Sequence, residues 1–432
     1  MKDILIKFKQ HPHYDKIINW GKLISITGSA QIIVQAVAFA SGILIIRLLS
    51  VQEYAFYTLT NTMLGTITVL ADSGISTGVM AQGGRVWQDK EKLGTVLATG
   101  LDLRKKFGII SLVVSIPILF YLLKHNGAST VTALLLILAL IPAFYAALSD
   151  SLLEIVPKLH QTILPLQKNA VGVGLGRLLL TATTIFVFPW AFIAVLAAGI
   201  PRIFGNINLR KISYDLADKN QKPDKDVRTE ILALVRRIMP TSIYYCVSGQ
   251  ITIWLISIFG NTNSIAQLGA LGRLSMVLSL FGVIVSTLII PRFARLASNK
   301  YLLLQRFIQV ILVSTVLYSI VILTVYLFPS PILWLLGDAY KGLPFELLLS
   351  VVGSCIGLLT GIVFSLYNCR GWAFNPIIGI PLGGFGIILG AVFFELTSLL
   401  GALYYNLFLA GYSFIVNIGF AFYCLYSIKN ND

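Results

Sequence analysis

Charge is scarce in this chain. Only 12% of its 432 residues are Asp, Glu, Lys or Arg, whereas a soluble domain carries about 25%. That leaves too few polar residues to cover a chain that is 56% apolar, so folding in water is excluded and lipid must solvate much of it. Acids are scarcer than bases, 18 against 33, for a net charge of +15. Cysteine is scarce too. Cys246, Cys355, Cys369 and Cys424 all lie in apolar stretches without metal-type spacing, which argues against a disulfide framework and against a zinc site. His11, His13, His125 and His160 share no ligand spacing, so no metal is expected. No Gly-x-x-x-x-Gly-Lys-Ser/Thr occurs. Any energy source is therefore an H⁺, Na⁺ or substrate gradient, and no cofactor is expected.

What is present is a series of long apolar segments, near 24–47, 54–80, 100–123, 130–150, 166–188, 190–210, 234–259, 266–291, 304–327, 347–369, 375–396 and 400–426. Each is long enough to cross a hydrocarbon core of about 30 Å at about 1.5 Å per residue. The expected fold is all-α: a polytopic membrane protein of about twelve transmembrane helices, in two six-helix bundles around a central cavity. Phe188-Pro189-Trp190 nearly fuses two segments, and the proline supplies the reversal. The last two segments are the hardest to divide. The first 22 residues are polar and basic, so no cleavable signal is expected.

Basic residues alternate with the segments and gather on one side, around Lys2–Lys22, Arg85–Lys106, Lys158–Lys168, Arg210–Arg237, Arg292–Arg306, Arg370 and Lys429. The positive-inside rule then puts both termini in the cytoplasm. The same rule makes the net charge a topology signal facing anionic membrane lipids, and nucleic acid is not an expected partner. The one substantial hydrophilic stretch, 212–233, reads as a cytoplasmic linker between an N-terminal half, 1–211, and a C-terminal half, 234–432. At an offset near 211, Leu48–Ala55 lies over Phe259–Ala266, as two parallel repeats would place them. Two bundles around a cavity is a transporter plan, not that of an enzyme.

Several stretches resemble the polysaccharide-transporter branch of the multidrug/oligosaccharidyl-lipid/polysaccharide exporter superfamily. Ile46-Arg47-Leu48-Leu49-Ser50-Val51-Gln52-Glu53-Tyr54-Ala55-Phe56-Tyr57 looks like its first outer loop. Leu70–Ile75 resembles the Asp-x-Gly of its second helix. Ile265–Leu274, followed by Ile290-Pro291-Arg292, resembles its eighth, and Ile332–Gly342 the loop before its tenth. The departure is Ala55 and Ser50-Val51-Gln52, where that branch commonly has Gly and Gly-Pro. The resemblance implies a Wzx-type flippase for O-antigen or exopolysaccharide units. It would carry undecaprenyl-pyrophosphate-linked oligosaccharide across a bacterial cytoplasmic membrane, alongside a polysaccharide polymerase and chain-length machinery. Two rivals remain open: a membrane-embedded polymerase or ligase, and a multidrug exporter of the same superfamily. A fourteen-helix lipid II flippase fits the length less well.

Charges inside a membrane are costly and mark function, and arginine's planar fork suits pyrophosphate. The candidate substrate-binding residues are therefore Arg177, flanked by Gly174 and Gly176, with Arg202, Arg273 and Arg47. Each has a structural alternative: a buried partner, snorkelling to headgroups, or an interface anchor. The candidate ion-coupling acids are Asp72 and Glu395. The alternative for Asp72, beside Ser73 and Gly74, is to serve local backbone groups at a helix bend. Asp102, Asp150 and Glu154 read as solvated helix ends.

Overall fold

The computed structural model describes residues 14–285, 289–290, 293, 296, 299–370, 372 and 374–427. Among them every regular element is helical. A first set comprises α1 (Tyr14–Leu48), α2 (Val51–Asp72), α3 (Ile75–Val86), α4 (Lys90–His125), α5 (Thr130–Leu153), α6 (Ile155–Leu159), α7 (Ile163–Val187) and α8 (Ala191–Tyr214). A second set comprises α9 (Lys225–Phe259), α10 (Thr262–Ile284), α11 (Lys300–Leu327), α12 (Pro329–Leu336), α13 (Pro344–Asn368), α14 (Pro376–Phe393) and α15 (Leu399–Tyr426). Helix starts recur between the sets. Val51 and Thr262 lie 211 residues apart, Lys90 and Lys300 210, Thr130 and Pro344 214, Ile163 and Pro376 213, and Ala191 and Leu399 208.

Ten of these helices are long and apolar enough to cross a membrane, or eleven spans if the bent pair α2–α3 counts as one. The remaining expected segment, 266–291, falls on α10 and runs on into 286–288 and 291, outside the described residues, as do Pro291 and Arg292 of the eighth-helix resemblance. The segment expected over 54–80 is broken. Ser73 (φ 44°) and Gly74 (φ 94°) are both left-handed, and α2 and α3 meet at a 45° bend. The start signals are ordinary caps: Ser50, Ser129, Asn261, Asn299 and Ser398 each accept a backbone N–H three residues on.

Lipid-facing surface is plain on α11, where Leu312, Val313, Val316, Ile320 and Leu323 are all exposed at helical spacing. A face of that kind has no place in water. The expected linker 212–233 is mostly helix, because α8 runs to Tyr214 and α9 begins at Lys225. Only 215–224 connects them. The Asn220 backbone N–H donates to Asp218 at 2.9 Å, and this bond holds that carboxyl below its usual range.

Helix α9 spans the bundle. At the end carrying this connector, here the basic end, its Ile231 and Val235 join Ile75, Val79 and Leu93 in a core belonging mainly to the first set. At the far end a second core joins Tyr54, Phe56 and Leu59 of α2 to Ile265, Ala266 and Ala270 of α10. Gly269 lets the two helices touch, since a methyl there would sit 2.6 Å from the Thr58 Oγ1.

Candidate functional site

Arg177 lies midway along α7. A methyl at Gly174 would stand 3.5 Å from Val37 of α1, and one at Gly176 3.3 Å from Pro201 of α8. The two glycines therefore seat α7 between its neighbours. The Arg177 Nε is buried with no hydrogen-bond partner. Its charged neighbours are Arg273 and Arg202, and the Tyr57 phenol also faces it.

Arg273 reaches this place from α10. It lies across Gly42 of α1, where a methyl would meet its Cδ at 3.4 Å. Its Cζ is 5.9 Å from the centre of the Tyr57 ring, and its guanidinium reaches the Tyr54 and Tyr57 hydroxyls. Helices α1, α2, α7 and α10 thus converge on two arginines and two phenols. Like charges repel strongly in a low-dielectric interior unless an anion or electron-rich oxygen lies near both. The spacing of Tyr54 and Tyr57 is the helical i, i+3 that puts both on one face. That signal stood in the sequence but was not read as part of a site.

The other candidate residues are held differently. Arg202 Nε donates to Asp150 at 2.8 Å. Asn206 Nδ2 donates to the same carboxylate at 2.6 Å and to Ser149 at 2.7 Å, and Arg210 Nε donates to Asn206 at 3.0 Å. Asp150 is therefore no solvated helix end, its side chain being 18% accessible. Positions 202, 206 and 210 share one face of α8 and press it on α5.

Asp72 pairs with Arg104 of α4 and accepts from the Ser76 N–H at 3.1 Å and its hydroxyl at 2.7 Å. The Ser76 N–H is the local backbone group that Asp72 serves at the bend. Arg104, which sequence placed with the cytoplasmic bases, is buried, its side chain 3% accessible. The reason is close packing. Gly100 and Gly108 bring α4 against Val79 and Leu148, carrying Arg104 inward between them.

At the far end Arg47 Nε donates to the Leu335 carbonyl at 2.9 Å. Another of its nitrogens donates to the Trp334 carbonyl, and the guanidinium sits 4.6 Å from the Trp334 ring centre. The residue ties α1 to α12 across the two sets. Around the same end, Asn126 Nδ2 donates to the Ser257 carbonyl at 3.0 Å and the Thr262 hydroxyl to the Asn126 carbonyl at 3.2 Å. Glu395 is exposed in the turn between α14 and α15 and accepts from Thr397 at 2.5 Å. The structure thus gathers Arg177 and Arg273, and leaves Arg47, Asp72 and Glu395 apart from them. A cavity of about 620 Å³ opens inside the second set, reaching Gly272, the residue before Arg273.

The chain matches no protein-family model, and no curated protein matches it. Solved structures do. A multidrug-resistance MATE-family transporter of the MOP superfamily, inward-facing, aligns with TM-score 0.67 and 15% identity over 92% of this chain and 96% of its own. The lipid II flippase MurJ, in an inward closed conformation, aligns with TM-score 0.69 and 15% identity over 94% of this chain and 88% of its own. An outward-facing MATE transporter of the MOP superfamily aligns with TM-score 0.63 and 14% identity over 95% of this chain and 97% of its own.

This chain has the MOP-superfamily transporter fold. These neighbours are transporters and a flippase, not enzymes. Within the MOP fold seen here, the arginine pair sits where α10 of the second set meets α1, α2 and α7 of the first.

Proposed function

We propose that this protein flips an undecaprenyl-pyrophosphate-linked oligosaccharide from the inner to the outer leaflet of a bacterial cytoplasmic membrane. The observation that carries this reading is Arg177, a guanidinium inside the bundle with its Nε unpartnered and cations as its charged neighbours. A buried guanidinium with an unpartnered Nε beside a second guanidinium suits an anion, and a pyrophosphate offers oxygens to two guanidiniums at once. Cationic drugs would meet repulsion there. The shared fold of a lipid II flippase supports a lipid-linked cargo.

Alternating access follows from how the two sets meet. They are closed at the far end by Arg47, Asn126 and the α2–α10 contact, and rocking one set on the other would pass the head group across. With the basic end cytoplasmic, that is the inward-facing half of the cycle. The arginines bind the pyrophosphate, the polyprenyl tail stays in lipid, and Asp72 and Asp150 hold Arg104 and Arg202 in place.

The test is leaflet location. In a host deleted for the gene, complete lipid-linked units should strand on the inner leaflet, inaccessible to an impermeant periplasmic probe. Wild type should restore access, and Arg177→Ala should lower it at least tenfold. Normal outer-leaflet units with failed chain growth would overturn the reading in favour of a polymerase or ligase.

A further inference from the structure

We infer that the cavity inside the second set is a seat for uncharged sugar, so that the protein selects glycans of neutral hexose and N-acetylhexosamine residues over acidic ones. This deepens the flippase reading and rests on it. At about 620 Å³ the cavity falls within the range of roughly 300–1,000 Å³ that small-ligand sites occupy. Helices α9, α10, α13, α14 and α15 all contribute to its wall, and among the described residues no Asp, Glu, Lys, Arg or His lines it. An interior cavity of this size whose described lining carries no charge points to a cargo without one.

Its polar groups are those that exchange hydrogen bonds with hydroxyls and acetamides. The Thr252 hydroxyl donates to Asn406 Oδ1 at 2.6 Å, which orients that amide, and the Tyr367 phenol donates to Asn417 Oδ1 at 2.8 Å. Its rings are seated by glycine. The Tyr244 hydroxyl lies 1.7 Å from where a methyl at Gly383 would stand, and the Tyr412 ring 2.5 Å from one at Gly386. Those α14 glycines hold two phenols against the wall, and a phenol offers an apolar ring for the C–H face of a sugar with a polar tip beside it.

The charge argument cuts in both directions. A uronic acid or a cationic drug would enter without a counter-charge, and an unpaired charge in a low-dielectric cavity is strongly disfavoured. The anionic part of the cargo has its own place, because Gly272 lines the cavity and Arg273 follows it on α10. Pyrophosphate at the arginines and sugar in the cavity would thus lie against neighbouring positions of one helix.

The experiment uses the full chain in nanodiscs and three probes measured by calorimetry: a neutral tetrasaccharide of hexose and N-acetylhexosamine, a matched tetrasaccharide with one hexuronic acid, and undecaprenyl pyrophosphate without sugar. The neutral tetrasaccharide should bind at least tenfold more tightly than the acidic one, and Tyr244→Ala should weaken it at least tenfold. Equal or tighter binding of the acidic sugar would overturn the inference, and that comparison needs no variant to fold. Binding of undecaprenyl pyrophosphate without binding of the neutral sugar would overturn this inference and leave the flippase reading standing. Binding of neutral sugar without undecaprenyl pyrophosphate would support the cavity and remove the flippase reading.

Discussion

Arg47 holds Trp334 twice, through its backbone carbonyl and through the face of its ring at 4.6 Å. The two residues belong to different helix sets, so on the alternating-access reading this contact breaks when the far end opens. Arg47→Ala should shift the balance toward the open far end by roughly tenfold, from the loss of about 1–2 kcal/mol of charge-assisted hydrogen bonding and cation–π attraction at an exposed site. Thiol labelling of a cysteine placed at Ser264, buried at the start of α10, should rise accordingly. Unchanged labelling would mean the far end is held by the apolar α2–α10 contact alone.

Arg104 and Asp72 form the most buried ion pair of the first set among the described residues. Removing one partner of such a pair strands a charge, at about 3–5 kcal/mol. Asp72→Asn should therefore lower the unfolding temperature in detergent by several degrees. If Asp72 served ion coupling instead, Asp72→Asn would leave stability intact and abolish gradient-driven transport.

Tyr57 and Arg273 should be energetically coupled. Tyr57→Phe keeps the ring beneath the guanidinium and removes the hydroxyl, so it should weaken undecaprenyl pyrophosphate binding by less than threefold. Arg273→Ala should weaken it at least tenfold. A double-mutant cycle showing strict additivity would separate the two residues and contradict the shared site.

A methyl at Gly383 has nowhere to go except against the Tyr244 hydroxyl. Gly383→Ala should push that phenol into the cavity and cut neutral-sugar binding at least tenfold, while the amount of folded protein recovered from membranes stays near wild type. A cut in sugar binding no greater than twofold would show that the ring can move aside and does not shape the cavity.

Glu395 makes the opposite case. It is exposed in a turn, with Thr397 as its hydrogen-bond partner. Glu395→Gln should leave transport within twofold of wild type, measured as leaflet access in the deletion host. Loss of transport would return this residue to the ion-coupling role that its sequence position suggested.

The helical plan was legible because each membrane span must satisfy its own backbone, which leaves a long apolar run in the sequence. The caps Ser50 and Asn261 start their helices a few residues before the apolar runs expected from 54 and 266. The bend at Ser73–Gly74 was legible in part, since Gly tolerates the left-handed backbone that such a break uses. The site was harder. Arg177 stood out as a charge deep in an apolar run. Nothing local in the sequence says that Arg273 crosses Gly42, because that contact joins residues more than 200 positions apart. The burial of Arg104 was hidden for a related reason. Its neighbours Lys105 and Lys106 are exposed, and only the packing of Gly100 and Gly108 distinguishes it from them. Nor could hydropathy reveal an uncharged cavity, because its serines, threonines, asparagines and tyrosines are spread over α9, α13 and α15, each of which is apolar enough to read as a span.

Helix α9 carries an internal proline, Pro240, between the portion packed with Ile75 and Val79 and the portion that lines the cavity from Thr241 onward. A proline removes one backbone hydrogen bond and is where a helix bends most readily. The strut that anchors the second set to the first and the wall that meets the cargo are therefore a single rod with a built-in elbow. On the flippase reading proposed above, filling the cavity and swinging the bundle would be one mechanical event, in which the load itself works the joint.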